Sequence, residues 1–246
     1  MANLADTEEA VMTNNIRIKV MENPKPVIAI LGGTGGLGTG LARRWAAAGY
    51  QIIIGSRTQD NAESAAGELR GLMQARGIGL VPVLAMDNIA AASAGDLVVL
   101  TVPFAHHTST LLSVKDALQG KILIDVTVPL IPPKVARVQL PAEGSAGQIA
   151  QNILGDGVRV VSAFQNVAAV HLQEGQVVDS DVLVCGDNKE ARAQVIELVE
   201  ATGLRGLHAG SIANAAAVEA MTSLLIFINK QYKCHAGIKV TGMEHS

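Results

Sequence analysis

Ile30-Leu31-Gly32-Gly33-Thr34-Gly35-Gly36-Leu37-Gly38 is the stretch that decides how this chain folds. The apolar run ahead of it, 27–31, reads as a buried strand, and residues 37–48 after it read as a helix that Gly49 stops. Between them Gly33, Gly35 and Gly38 satisfy the spacing G-x-G-x-x-G. Each glycine has a physical task in such a turn. Gly33 permits the tight bend, Gly35 lets the backbone approach a pyrophosphate, and Gly38 lets helix and strand pack closely. The helix N-terminus presents free N–H groups and a partial positive charge, and Thr34 adds a hydroxyl donor. A phosphate cradle for a dinucleotide is the implication.

Working outward, strand and helix patterns alternate on the C-terminal side. Strands are expected at 51–54, 79–84, 97–102 and 121–125, with helices at 61–76 and 113–118. A proline-rich loop, 128–141, separates these from a helix at 146–154 and strands at 158–163 and 181–184. The chain then turns at Gly186-Asp187-Asn188 into a helix at 189–201, a strand at 204–207 and a long apolar helix at 211–230. Strands without polar alternation are buried on both faces, as in parallel sheets covered by helices. The expected class is α/β: a Rossmann-type doubly wound parallel sheet with helices on both faces and a smaller C-terminal α/β lobe. The expected division is an N-terminal arm (1–26), a dinucleotide-binding domain (27–165) and a smaller C-terminal domain (166–246). Residues 16–20 alternate apolar and basic types as a short edge strand would, but a loosely attached arm is the preferred reading.

Composition narrows the partners. Of 246 residues 49% are hydrophobic and only 2% aromatic, so base-stacking surfaces are scarce, and a net charge of -3 gives no electrostatic motive for binding nucleic acid. Cys185 and Cys234 make neither a disulfide framework nor a metal-ligand spacing, and His171, His208, His235 and His245 are scattered, so no metal site is expected. The start of the chain is polar and acidic, unlike a signal peptide. The apolar stretch 215–228 is interrupted by Glu219, Thr222 and Ser223 and reads as too short to span a bilayer. These features predict a cytoplasmic protein with a small-molecule partner and no membrane partner.

The end of the second strand selects the dinucleotide. NAD-binding proteins usually place an acidic residue about 20 residues past the glycines to hold the ribose 2′-hydroxyl. Here Gly55-Ser56-Arg57 stands in that place. Arg57 can pair with a 2′-phosphate and stack along the adenine, while Ser56 donates a hydrogen bond. NADP(H) is therefore the expected cofactor.

At this point the sequence resembles the NADPH-dependent reductases of the deazaflavin coenzyme F420 and, more distantly, the oxidoreductase domain of the STEAP metalloreductases. The resemblance runs from about residue 27 to the end. It is carried by the glycine stretch, Gly55-Ser56-Arg57, Leu100-Thr101-Val102-Pro103-Phe104, Val128-Pro129, Val160-Val161-Ser162-Ala163, Val184-Cys185-Gly186-Asp187 and Glu219. It implies that Thr34, Gly35, Gly36 and Leu37 take the cofactor phosphates and that Ser56 and Arg57 take the 2′-phosphate. It further implies that Pro103, Phe104 and Val128 flank the nicotinamide half with Ala169 nearby, the acceptor ring lying between the main domain and the C-terminal lobe. Asn61 stands where some relatives have a further basic residue, and Gln165-Asn166 where relatives often show His or Asn followed by Thr.

Hydride transfer between two flat rings needs orientation more than covalent help from the protein. Neither Tyr50 nor Tyr232 has a lysine four positions on, so the Tyr-x-x-x-Lys pair of short-chain carbonyl reductases is missing. His106, which matches a family histidine, is the catalytic candidate at the C-terminal edge of the fourth strand, where ligands bind in such sheets. His107, Gln165 and Asn166 are substrate-site candidates, and Lys134 and Arg137 in the proline-rich loop are candidates to hold an anionic tail. The leading expectation is an oxidoreductase passing hydride between NADP(H) and F420 or a flavin-like acceptor. Reduction of a small imine or carbonyl compound, or a non-catalytic NADP(H)-binding sensor, are the alternatives. The apolar last helix predicts a homodimer.

Overall fold

A computed structural model describes residues 25–78, 81–174 and 178–243; the arm segment 1–24, with the alternating residues 16–20, lies outside them. Short aliphatic runs make the strands. The central one, β1 (Ile28–Leu31), is buried at every position and pairs in parallel with β2 (Ile52–Ser56) and with β4 (Leu97–Leu100). Outside these lie β3 (Val83–Asp87) beyond β2, and β5 (Ile122–Asp125) and β6 (Arg159–Ser162) beyond β4. β7 (Asp181–Gly186) then pairs antiparallel with β6 and parallel with β8 (Arg205–His208). The result is one eight-stranded sheet in the order β3-β2-β1-β4-β5-β6-β7-β8. The chain after residue 166 thus adds its strands to the sheet begun by β1.

Helices cover both faces, and side chains start four of them. Thr58 caps α2 (Gln59–Ala75), Asp87 caps α3 (Asn88–Ala94), Ser145 caps α5 (Ala146–Leu154) and Asn188 caps α7 (Lys189–Ala201), each accepting from backbone N–H groups of the first turn. α1 (Gly36–Ala47) is different: Gly35 begins it with no side-chain cap. The remaining helices are α4 (Phe104–Val114), α6 (Ala169–Glu174) and α8 (Ala215–Tyr232). Trp45 on α1 anchors one core layer, fully buried, with Nε1 donating to Leu198 O at 2.8 Å and its ring edge-on to Phe164. Arg44 joins α1 to its neighbours by donating to the carbonyls of His171, Leu172 and Thr202.

Several elements differ from the sequence expectation for identifiable reasons. The third strand begins at Val83, not 79, because Pro82 has no N–H to give a ladder; it offers only its carbonyl, to Ile52 N. Residues 79–80 lie outside the described ones. The fourth strand stops at Leu100, since Pro103 already sets up α4, which starts at 104 instead of 113 and is followed by a short 3-10 turn (Asp116–Leu118). α3 was not foreseen because its alanine-rich sequence carries no apolar period. The apolar last helix is shifted from its expected bounds, beginning at Ala215 instead of 211 and ending at Tyr232 instead of 230. With its preceding 3-10 turn it covers Ile212–Tyr232, 21 residues within which an 18-residue stretch has a mean hydropathy of 1.5, so its length does reach that of a membrane span. Glu219 within it is buried and bonded to α5.

Candidate functional site

The glycine turn places Gly32, not Gly33, in the left-handed region (φ +71), so Gly32 carries the tight bend. Gly33 and Gly38 serve by having no side chain. A Cβ on Gly33 would stand 2.8 Å from Ile30 O, and one on Gly38 would stand 2.9 Å from both Gly33 Cα and Thr101 Oγ1. At Gly35 the space is open, with Gly32 O the nearest atom at 3.8 Å. A phosphate cradle needs this combination: close packing behind, room in front, and an uncapped helix N-terminus pointing into the room.

A cleft of about 360 Å³ elsewhere on the surface involves none of these residues, whereas one of about 730 Å³ runs from the cradle along the C-terminal ends of the strands. Thr34, Gly35, Gly36 and Leu37 line it at one end, Ser56 and Arg57 at the side, and Pro103, Phe104, His106 and Val128 beyond. Ten of the residues singled out in the sequence therefore share one cleft. Arg57 is exposed and, among the described residues, has no ion-pair partner. Ser56 beside it is buried at the end of β2. These features fit a 2′-phosphorylated dinucleotide: among the described residues, a cation without an ion-pair partner flanks an uncapped helix N-terminus, and no carboxylate lines the cleft to repel the phosphate.

Sequence reasoning missed part of the wall. Asn88, whose Oδ1 accepts from Gly32 N at 3.4 Å, joins it from α3, Thr101, Val126 and Thr127 join it from strand ends, and Leu130 joins it from the proline-rich loop. Strand-end position was the available signal; Asn88 gave none, because its helix was not recognised.

Other candidates lie elsewhere. His107 is wholly buried, its Nε2 donating to Asp125 Oδ2 at 2.6 Å, so it is not on the substrate wall. Successive residues of a helix point about 100° apart, which sends His106 to the cleft rim and His107 into the core. Gln165 and Asn166 are also buried, at 4% and 3% exposure. Gln165 Nε2 donates to Asp125 O and to Ser162 Oγ, and Asn166 Nδ2 to Asp181 O, so neither lines this cleft. Phe164, in the left-handed region at φ 72, turns the chain into this buried pair at a strain cost of about 1–3 kcal/mol. Lys134 and Arg137 are exposed on the loop whose Pro132 and Val135 form part of the wall. Ala169 opens α6 beside Gly36 without lining the cleft. His171 and His235, distant in sequence, meet edge to face at 5.0 Å on a separate small cavity that Asn166 also lines.

Beneath the far end of the cleft lies a buried polar floor. Glu219, 1% exposed, accepts from the N–H groups of Ala146 and Gly147 at 2.7 and 3.1 Å. Burial pushes its carboxyl up to about 8, against the pull of those two donors, and the nearby Asp125 adds to the rise. Thr222, one helical turn on, donates to Gln165 O.

A doubly wound sheet with a glycine turn leading into an uncapped helix, and an arginine where a ribose acid would stand, defines an NADP-dependent oxidoreductase of the Rossmann type. Comparison with known proteins agrees. The family profile described as NADP oxidoreductase, coenzyme F420-dependent, matches residues 27–129. The F420-dependent NADP reductase of Methanocaldococcus jannaschii is 41% identical over 223 residues, covering 88% of this chain and 99% of that one. The chain belongs to this family. The rat metalloreductase STEAP3 is 34% identical over 210 residues, 83% of this chain but 38% of the rat protein. A solved chain from Arthrobacter sp. FB24, proposed to be an F420-dependent NADP reductase, shares the fold with a TM-score of 0.73 at 23% identity, covering 88% of this chain and all of that one.

Proposed function

We propose that this chain transfers hydride between NADP(H) and coenzyme F420, a deazaflavin small-molecule acceptor. The observation that carries the reading is the continuity of one cleft. It joins a phosphate cradle and the exposed Arg57 to an apolar end formed by Pro103, Phe104, Val126, Val128 and Leu130. Relatives of nearly full-length coverage are named for that reaction.

In this reading the N–H groups at the start of α1, with Thr34, Gly35, Gly36 and Leu37, hold the pyrophosphate, and Ser56 and Arg57 hold the 2′-phosphate. NADPH, when bound, supplies the hydride from its nicotinamide ring. Pro103, Phe104 and Val128 give that ring flat apolar walls, and Ala169 supports the cradle from α6. His106 on the rim is the polar side chain placed to orient the acceptor or pass a proton. Lys134 and Arg137, exposed on the adjoining loop, suit an anionic tail, while Gln165 braces Asp125 from beneath. Orientation of two rings supplies most of the catalysis.

The test is anaerobic turnover of NADPH with F420, FMN, FAD and a panel of imines and ketones. Oxidation with F420 alone supports the proposal. Turnover of an imine or ketone instead overturns the acceptor, and tight NADPH binding with no turnover at all returns the sensor reading.

The same reading includes a homodimer built on α8, where Leu224, Phe227, Ile228 and Tyr232 are exposed. Phe227→Asp is expected to shift the sedimentation coefficient to that of one chain; an unchanged value removes α8 from the interface.

A further inference from the structure

We propose that the buried His107–Asp125 pair is a positioning device that fixes the ring-binding end of the cleft. The inference rests on the cofactor reading above. His107 lies on α4, the crossover that leads into β5, and Asp125 is the last residue of that strand; both are completely buried. α4, which carries His107, also carries Phe104 and His106 on one wall of the cleft. β5, which ends at Asp125, runs directly into Val126, Thr127 and Val128 on another. The 2.6 Å bond between Nε2 and Oδ2 therefore ties two walls together at their roots.

The ties continue on both sides. Asp125 Oδ1 accepts from Thr127 N at 3.0 Å, so both carboxylate oxygens are engaged and the turn into Val128 is held. Asp125 O accepts from Gln165 Nε2. On the other side the His107 ring stacks obliquely on Phe104, with centroids 6.0 Å apart and planes 30° apart.

Stability alone does not account for the arrangement. Replacing buried ionisable pairs by apolar residues of like volume is often neutral or better. This pair also leaves His107 Nδ1 buried with no hydrogen-bond partner among the described residues, and α4 already has Leu111 and Val114 in the core to hold it. What the pair adds is a fixed distance between walls, and hydride transfer is sensitive to misplacement of about 1 Å.

The experiment compares wild type, His107→Leu and His107→Gln. The glutamine amide can take the place of Nε2 and keep the bond to Asp125. Steady-state turnover with F420 is measured with NADPH and with NADPH deuterated at the transferring position. The leucine variant is expected to lose about 10- to 100-fold in kcat with a larger isotope effect, while NADPH affinity stays within about 2-fold. The glutamine variant is expected to recover most of the loss. A leucine variant that melts earlier but keeps the wild-type kcat and isotope effect overturns the proposal. If His107→Leu does not fold, Asp125→Asn is measured in its place, and an unchanged kcat there overturns it equally. If wild type reduces no acceptor, the proposed function fails separately. The device is then read from the fluorescence lifetime of bound NADPH, which His107→Leu should change and His107→Gln restore; no change overturns it.

Discussion

The cradle end of the cleft and the floor beneath its ring end are both made where strands terminate, yet they use their polar groups in opposite ways. At the cradle the groups are left open: α1 starts without a side-chain cap, Arg57 has no ion-pair partner among the described residues, and Gly35 faces free space. At the floor they are turned inward, with Asp125, His107, Gln165 and Glu219 bonded to protein. The open end is built to gain bonds from a ligand, and the closed end to hold a shape whether or not one is present. Changes at the first should therefore alter cofactor affinity at little cost in stability. Changes at the second should alter stability or turnover at little cost in affinity.

The comparison breaks most severely where the two ends share a support. Gly38→Ala puts a methyl against Gly33 Cα and Thr101 Oγ1. It is expected to lower NADPH affinity by about 100-fold and the melting temperature with it, because overpacking costs about 1–3 kcal/mol and shifts the helix start. Titration and thermal unfolding on one sample check this; loss of neither places the contact outside the cradle's support. Arg57→Ala should weaken NADPH by about 10- to 100-fold, spare NADH and leave the melting temperature alone. Equal loss for both cofactors would remove Arg57 from the 2′-phosphate.

Glu219→Gln tests the closed end. In the folded chain the Glu219 proton is held up to about pH 8, against a usual value of 4.5. The stability from the neutral carboxyl is thus complete below about 4.5 and is lost as pH rises through about 8. Wild type should lose about 5 °C more than Glu219→Gln between pH 5 and 9, with NADPH affinity little changed. Parallel melting curves across that range would show that Glu219 is ionised in the folded chain throughout. The smallest effect is expected for Asn88→Ala, whose long bond to Gly32 N is worth about 0.5–1 kcal/mol, or a few-fold in affinity.

The open end was legible in the sequence because its residues are local. Gly33, Thr34, Gly35 and Gly38 lie within one turn, and Ser56-Arg57 follows the next strand. Their chemistry is fixed by spacing and type. The bounds expected for α5 and α7, 146–154 and 189–201, agree with the observed ones, and Ser145 and Asn188 cap their starts. The closed end was not legible, since it assembles residues 107, 125, 165 and 219 from α4, the end of β5, the turn after β6 and α8, which only the completed fold brings together. His107 illustrates the difference. Its neighbour His106 reaches the cleft, and no pattern in a single sequence says which of two adjacent histidines faces in.

Trp45 is the only tryptophan in the chain, fully buried where α1 meets α7 and the strained turn at Phe164. Its emission should be that of an indole in apolar surroundings and should move to the red when this junction opens. Intrinsic fluorescence excited at the indole band thus reports on the helix that begins at the cradle, with no label to introduce. A variant that empties the cleft without disturbing that helix will leave the emission where it was, and a variant that dislodges the helix will not.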